Sequence, residues 1–211
     1  MYKYVFFDFN GTILDDVDLC LNLLNEMLSL KGHNPVSKER YRKIFTFPII
    51  EYYKRAGFTF DGYSFEELAS YFIEKYQPAS YKCRIYPHLL DLVKKFKENG
   101  VKLIILSASE KNNLLLQLEK LKIKELFDDV LGIDDIYAKT KKDIARQYFK
   151  INQISCEDCL MIGDTLHDGE IAKELGCSCI LFSNGHQDES LLKESGFRVI
   201  NSYEELINLY D

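Results

Sequence analysis

Apolar residues fall into two patterns that alternate along most of this chain. Short unbroken runs occur at "YVFFD" (4–8), "VKLIILS" (101–107), "DVLG" (129–132), "CLMIG" (159–163) and "SCILF" (178–182), with "RVI" (198–200) a weaker sixth. They lack polar alternation, as strands do when helices cover both faces of a parallel sheet. Between them the spacing becomes helical. "PHLLDLVKKFKENG" sets Leu89, Leu90, Val93 and Phe96 on one face and stops at Asn99-Gly100, and "EIAKELG" stops at Gly176 in the same way. Ser202 and Glu205 stand at capping-box spacing before the last helix. Strand and helix in alternation predict an α/β fold with a doubly wound, mostly parallel, Rossmann-like sheet.

Residues 15–84 break this rhythm. "DDVDLCLNLLNEMLSLKG" carries Val17, Cys20, Leu21, Leu24, Met27 and Leu28 at helical spacing. Pro48 divides "SKERYRKIFTFPIIEYYKRAG" into two helical pieces. "SFEELASYFIEKY" opens with Ser64 and Glu67 as a capping box. The segment is too long for one crossover helix, so it reads as a separate small all-helical domain (15–84) inserted into an α/β core made of 1–14 and 85–211. Its aromatics Tyr41, Phe45, Phe47, Tyr52 and Tyr53 read as its own core, and Arg42 and Lys43 as a solvated helix face.

Bulk composition adds exclusions. Hydrophobic residues are 46% and charged residues 28% of 211, as in an ordinary globular protein, and the net charge is −6. No general attraction to nucleic acid or an anionic membrane follows from that balance. The first apolar run is too short for a signal peptide and is interrupted by Asp8, and no window reaches the roughly 18 apolar residues of a span. The expected location is the cytoplasm. Cys156 and Cys159 form a CxxC and Cys177 and Cys179 a CxC, but they flank apolar runs, where small side chains pack at strand ends.

Ligands of open α/β sheets bind beyond the carboxyl ends of the strands, so what each strand delivers there is informative. The first delivers Asp8, followed by Gly11 and Thr12; the second delivers Ser107 in "LSAS"; "CLMIG" delivers Asp164, with Asp168 one turn later in "GDTLHD". "YAKTKKDIARQ" offers Lys139 and Lys141 near a helix start, with Thr140 a candidate N-cap. Clustered carboxylates repel unless a cation lies among them, and oxygen-only donors select a hard ion such as Mg²⁺. A metal, a lysine and hydroxyl donors are what a phosphoryl group needs to spread its charge, and a carboxylate held against phosphorus can attack it.

"DFNGT", "LSAS", "AKTKKD" and "GDTLHD", in that order, resemble the motifs of the haloacid dehalogenase superfamily, most of whose members are Mg²⁺-dependent phosphatases with a helical cap after the first motif. The resemblance spans the whole chain. It implies that Asp8 is the nucleophile and that Asp8, the Asn10 backbone carbonyl, Asp164 and Asp168 hold Mg²⁺. It also implies that Gly11, Thr12, Ser107 and Ala108 surround the phosphoryl group of a small phosphorylated metabolite. Lys139 fits the spacing of some members and Lys141 that of others, with Lys141 preferred.

The departure is Asn10, where the family pattern has a second aspartate that protonates the leaving group and activates water. An amide does neither, and general acid–base help is typically worth about 10²–10⁴-fold. Four readings stay open: a phosphatase for leaving groups that need little protonation, such as acyl phosphates; an engineered substitution that traps substrate; a binding or regulatory protein without turnover; and non-phosphate chemistry. A phosphotransferase would share every motif. His186, in the loop after the fifth run, reads as an exposed histidine without a role.

Overall fold

The computed structural model describes residues 2–133 and 140–209. Six strands form one sheet: β1 (Tyr4–Phe7), β4 (Lys102–Glu110), β5 (Asp129–Ile133), β6 (Cys159–Gly163), β7 (Ser178–Phe182) and β8 (Arg198–Ile200). Their order is β5-β4-β1-β6-β7-β8, and every neighbouring pair is parallel. Each expected apolar run is a strand. β4 extends past the expected 107 to Glu110, with a register shift against β5 between Leu106 and Glu110.

The unbroken apolar runs have a direct cause. Val5, Phe7, Leu103, Ile105, Leu160 and Ile162 face one buried cluster, shared with α5 (Leu89–Glu98) and α6 (Lys111–Lys120). Phe6, Ile104, Leu106, Met161 and Leu181 face a second, shared with α7 (Lys141–Asn152) and α8 (Leu166–Leu175). Both faces are buried, so neither alternate position admits a polar residue. Cys159, Cys177 and Cys179 are buried in the second cluster, and the Cys159 thiol donates to the Ser155 carbonyl at 3.3 Å. On α5 the buried set is Leu89, Leu92, Val93 and Phe96. Leu90, expected among them, is exposed, because it lies a quarter turn round from Leu89.

Residues 15–84 supply α1 (Val17–Leu30), α2 (Lys38–Ile44), α3 (Ile49–Ala56) and α4 (Phe65–Ser80). Pro48 stands at the N-cap of α3, separating it from α2. The Ser64–Glu67 capping box closes both ways, at 3.1 Å each. These helices bury a third cluster that includes Leu24, Met27, Tyr41, Tyr52 and Tyr53. The chain enters and leaves them through a two-stranded antiparallel ladder, β2 (Leu14–Asp15) against β3 (Arg84–Ile85), which sets Asp15 opposite Arg84.

α9 (Glu189–Glu194) and α10 (Glu204–Ile207) complete the fold. The capping box expected there closes by half. Glu205 accepts from the Ser202 amide at 3.3 Å, but the Ser202 hydroxyl takes the Glu204 amide, one residue early, because the helix starts at Glu204. No helix among the described residues is long and apolar enough to cross a membrane.

Candidate active site

β1 is the switch point of the sheet: its successor β4 lies on one side, and β6 lies on the other after the chain has returned from β5. A crevice opens at the carboxyl end of such a strand, and there the chain places Asp8. A cavity of about 430 Å³ lies above it, with Asp8, Asn10, Ser107, Ala108, Lys141, Asp164 and Asp168 on the sheet side and residues of α1–α4 opposite.

Lys141, the first residue of α7, is buried, and its Nζ reaches Asp8 Oδ1 and Asp168 Oδ1, both at 2.5 Å. The helix start that aims it is capped by Thr140, whose Oγ1 accepts from the Asp143 amide. Lys139, the other candidate, lies outside the described residues. Asp168 is fully engaged: its second oxygen accepts from the Thr165 amide and hydroxyl in a capping box that starts α8. Burial alone would raise the Asp168 carboxyl, but Lys141 outweighs that and holds it low. Burial likewise works against the Lys141 ammonium, and Asp168 and Asp8 reverse it, raising its proton affinity well above the ordinary value.

The lysine does not neutralise the whole cluster. Asp8, Asp164 and Asp168 bring carboxylate oxygens within 4.8 Å of one another. Burial pushes Asp8 up to about 6 against the pull of Lys141, and burial pushes Asp164 up to about 7, only partly opposed by His186. Three acids, two buried and one half-buried, facing one ammonium are short of positive charge, and an all-oxygen donor set matches a hard divalent cation. On that chemistry, Mg²⁺ fits the residues present.

Of the expected substrate-side positions, Ser107 and Ala108 line the cavity, whereas Gly11 and Thr12 do not. The Thr12 hydroxyl is fully buried and donates to Asp164 Oδ1 at 3.1 Å. Gly11 adopts φ +71°, and a Cβ there would lie 2.2 Å from Asp164 Oδ2. Both residues therefore shape the bed of Asp164. The Ser107 hydroxyl accepts from the Ser109 amide at 3.1 Å.

Asn10 is held by three side-chain bonds. Its Nδ2 donates to Asp16 Oδ2 at 2.9 Å and to the Tyr76 hydroxyl at 2.5 Å, and its Oδ1 accepts from the Ser109 hydroxyl at 3.2 Å. Asp16 is the centre of this second network and was missed in the sequence. It stands at the N-cap position of α1, where an aspartate is ordinarily just a cap, but its side chain makes no cap bond. It turns inward instead, accepting from the Gly11 amide at 2.9 Å and the Tyr76 hydroxyl at 2.7 Å.

His186 completes the network and corrects the sequence expectation, since its side chain is only 5% exposed. Its Nε2 is 3.3 Å from Asp16 Oδ1, its Nδ1 is 2.7 Å from the Tyr41 hydroxyl, and its amide donates to Asp164 Oδ2 at 2.6 Å. Burial would lower its proton affinity, but Asp16 more than compensates and raises it to about 9. Reciprocally, burial would raise Asp16, and His186 with the Tyr76 and Asn10 donors holds it low. The Phe45 ring stacks on His186 with centroids 4.8 Å apart.

Arg42 is not a solvated residue either. Its guanidinium donates to the carbonyls of Ser183 and Gln187, and the Gln187 side chain donates to the Phe45 carbonyl at 2.9 Å. These bonds tie α2 to the loop after β7. No sequence pattern signals them, because both acceptors of Arg42 are backbone atoms.

The haloacid dehalogenase-like hydrolase family matches residues 5–182. The phosphoglycolate phosphatase 1 of Pseudomonas aeruginosa is 26% identical over 99% of this chain and 80% of its own. A phosphoglycolate phosphatase of Pseudomonas fluorescens is 28% identical, over 97% and 78%. Among solved structures, a haloacid dehalogenase-like family hydrolase from Streptococcus pneumoniae superposes with a TM-score of 0.84 at 19% identity, covering 100% of this chain and 99% of that one. CbbY from Rhodobacter sphaeroides, in complex with phosphate, gives 0.73 at 21% identity, over 98% and 96%. With the family matched over most of its length and the motifs gathered at one end of β1, this chain belongs to the haloacid dehalogenase-like hydrolases.

Proposed function

We propose that the chain is a Mg²⁺-dependent phosphatase of small phosphorylated metabolites, acting in the cytoplasm through an aspartyl-phosphate on Asp8. The observation that carries this reading is the half-buried Asp8 carboxylate at the switch point of the sheet, 2.5 Å from Lys141 and grouped with Asp164 and Asp168. Asp8, Asp164 and the Asn10 backbone carbonyl would hold Mg²⁺, whose charge offsets that of the transferring phosphoryl group. Lys141 both orients Asp8 and adds positive charge, and Asp168 holds Lys141 in place. Ser107 and Ala108 line the cavity on the same sheet side as Asp8. The helices of residues 15–84, facing the nucleophile across the cavity, act as the cap that selects the leaving group.

The surroundings of Asn10 favour an amide that belongs to this site over a trap introduced from outside. With aspartate at position 10, its carboxylate would face that of buried Asp16 at the distance now spanned by the Asn10 hydrogen bond, 2.9 Å. The test is phosphate release with Mg²⁺, together with acid-quenched mass spectrometry for a phosphoryl adduct on Asp8. Asp8→Asn is expected to lose both release and adduct. Undiminished Mg²⁺-dependent release in Asp8→Asn would sink the covalent mechanism.

A further inference from the structure

The cap side of the cavity is built almost entirely of flat and apolar groups. Phe45, Tyr52, Phe65, Phe72, Ile73 and Tyr76 face the pocket, with Phe72 and Tyr76 stacked on each other at 5.3 Å and 12°. The volume of about 430 Å³ lies within the range of about 300–1,000 Å³ usual for small-molecule sites. Its charges are lopsided. Asp8, Asp16, Glu110, Asp164 and Asp168 line it, and Lys141 is the only lysine or arginine among the described lining residues. Lys141 is already bonded to two carboxylates, and His186 is paired with Asp16. His167 also lines the cavity, beside Glu170 at 3.6 Å, so a substrate carrying a carboxylate besides its phosphate, as phosphoglycolate does, would meet no unpaired lysine or arginine among the described lining residues, which is unfavourable for a desolvated charge.

Asn10 adds a second and independent constraint. Its amide is fixed by three bonds and has no proton to give to a departing oxygen. An alkoxide leaves poorly without one; a phenolate leaves well.

Resting on the phosphatase reading, we infer that the substrate is an aryl phosphate whose leaving group is an uncharged aromatic ring. An Asp8 oxygen attacks phosphorus and the bond from phosphorus to the phenolic oxygen breaks. Its electron pair stays on the phenolate, which takes a proton from water. Water then attacks the phosphorus of the aspartyl-phosphate. The bond to Asp8 breaks, its pair returning to the carboxylate, and the proton of the attacking water passes to the phosphate released. No side chain at position 10 assists this second step, so it limits turnover and is common to all substrates.

The test compares phenyl phosphate, 4-carboxyphenyl phosphate, glycerol 1-phosphate and phosphoglycolate under saturating Mg²⁺, in the unaltered protein and in Ile73→Arg. Ile73 is 48% exposed at the cavity rim, where an arginine is tolerated. The expected kcat/KM is highest for phenyl phosphate and falls by about tenfold or more on adding the 4-carboxylate, although that group slightly improves the leaving phenol. Ile73→Arg is expected to recover most of that loss. A burst of phenol, with a kcat shared by different aryl phosphates, is the expected kinetic signature. If phosphoglycolate or glycerol 1-phosphate is hydrolysed as well as phenyl phosphate, the inference is overturned while the phosphatase reading stands. If neither this protein nor Asn10→Asp releases phosphate from any of the four or from acetyl phosphate, the phosphatase reading falls and the inference with it.

Discussion

The His186–Asp16 pair makes the stability of this fold depend on pH. Burial lowers the imidazole, but the Asp16 carboxylate beside it outweighs that and raises it from 6.5 to about 9. At about 1.4 kcal/mol for each tenfold change in proton affinity, the difference is worth about 3 kcal/mol. The sign follows from the folded state binding the proton more tightly. The stabilisation is complete below pH 6.5 and is lost as pH rises through about 9. The groups facing the imidazole are Asp16, the Tyr41 hydroxyl and, through its backbone, Asp164. Asp16 is lowered, so its own contribution is lost only in acid. Asp8 and Asp164, raised to about 6 and about 7, cost stability as pH climbs from 4 to 7, but they do so with or without His186. The perturbation is His186→Gln, which keeps a donor for Asp16 but carries no charge. Urea denaturation in EDTA, at half-unit steps from pH 6 to pH 10, is the assay. Near pH 6.5 the variant should be less stable by about 3 kcal/mol, and the gap should close towards pH 9.5. A gap of constant size across that range would refute the ion-pair account and leave only lost packing.

Three further outcomes follow from the same geometry. Asn10→Asp in metal-free protein at pH 7.5 should cost about 1–3 kcal/mol, since it removes a donor from buried Asp16; in a double-mutant cycle with Asp16→Asn, followed by thermal or urea unfolding, the two losses should be less than additive, and additive losses would contradict the coupling. Gly11→Ala should abolish Mg²⁺ binding, read by calorimetry, because its Cβ would strike the Asp164 carboxylate at 2.2 Å from a left-handed backbone; unchanged affinity would show that Asp164 is free to move. Arg42→Ala breaks the tie from α2 to Ser183 and Gln187, so amide exchange in α2 should accelerate while the sheet stays protected; equal protection would mean the tie contributes little.

The sequence by itself determined the strands, most of the helices and the group at the end of β1. Buried parallel strands must be apolar at every position, so "YVFFD" or "CLMIG" has one reading. Asp8, Ser107, Lys141 and Asp164 were legible because strand ends and helix starts are themselves legible, and the switch point gathers what they carry. Helix faces were less secure at the level of one residue, as Leu90 shows.

What only the tertiary structure decided is the setting of those groups. Asp16 has the spacing of an N-cap and His186 that of a loop residue, and neither has a periodicity to betray it. They meet, 170 residues apart in the chain, because the loop after β7 reaches the segment that follows β1, and the two ordinary residues become a buried ion pair there. Arg42 looked solvated because its partners are carbonyls, which every residue carries. The cavity follows the same rule: the sequence reads Phe45 and Tyr52 as core of the helical segment, but only packing against the sheet decides that they also line a space above Asp8. Local pattern records the solvent side of an element; pairwise geometry between distant elements leaves no trace in one sequence.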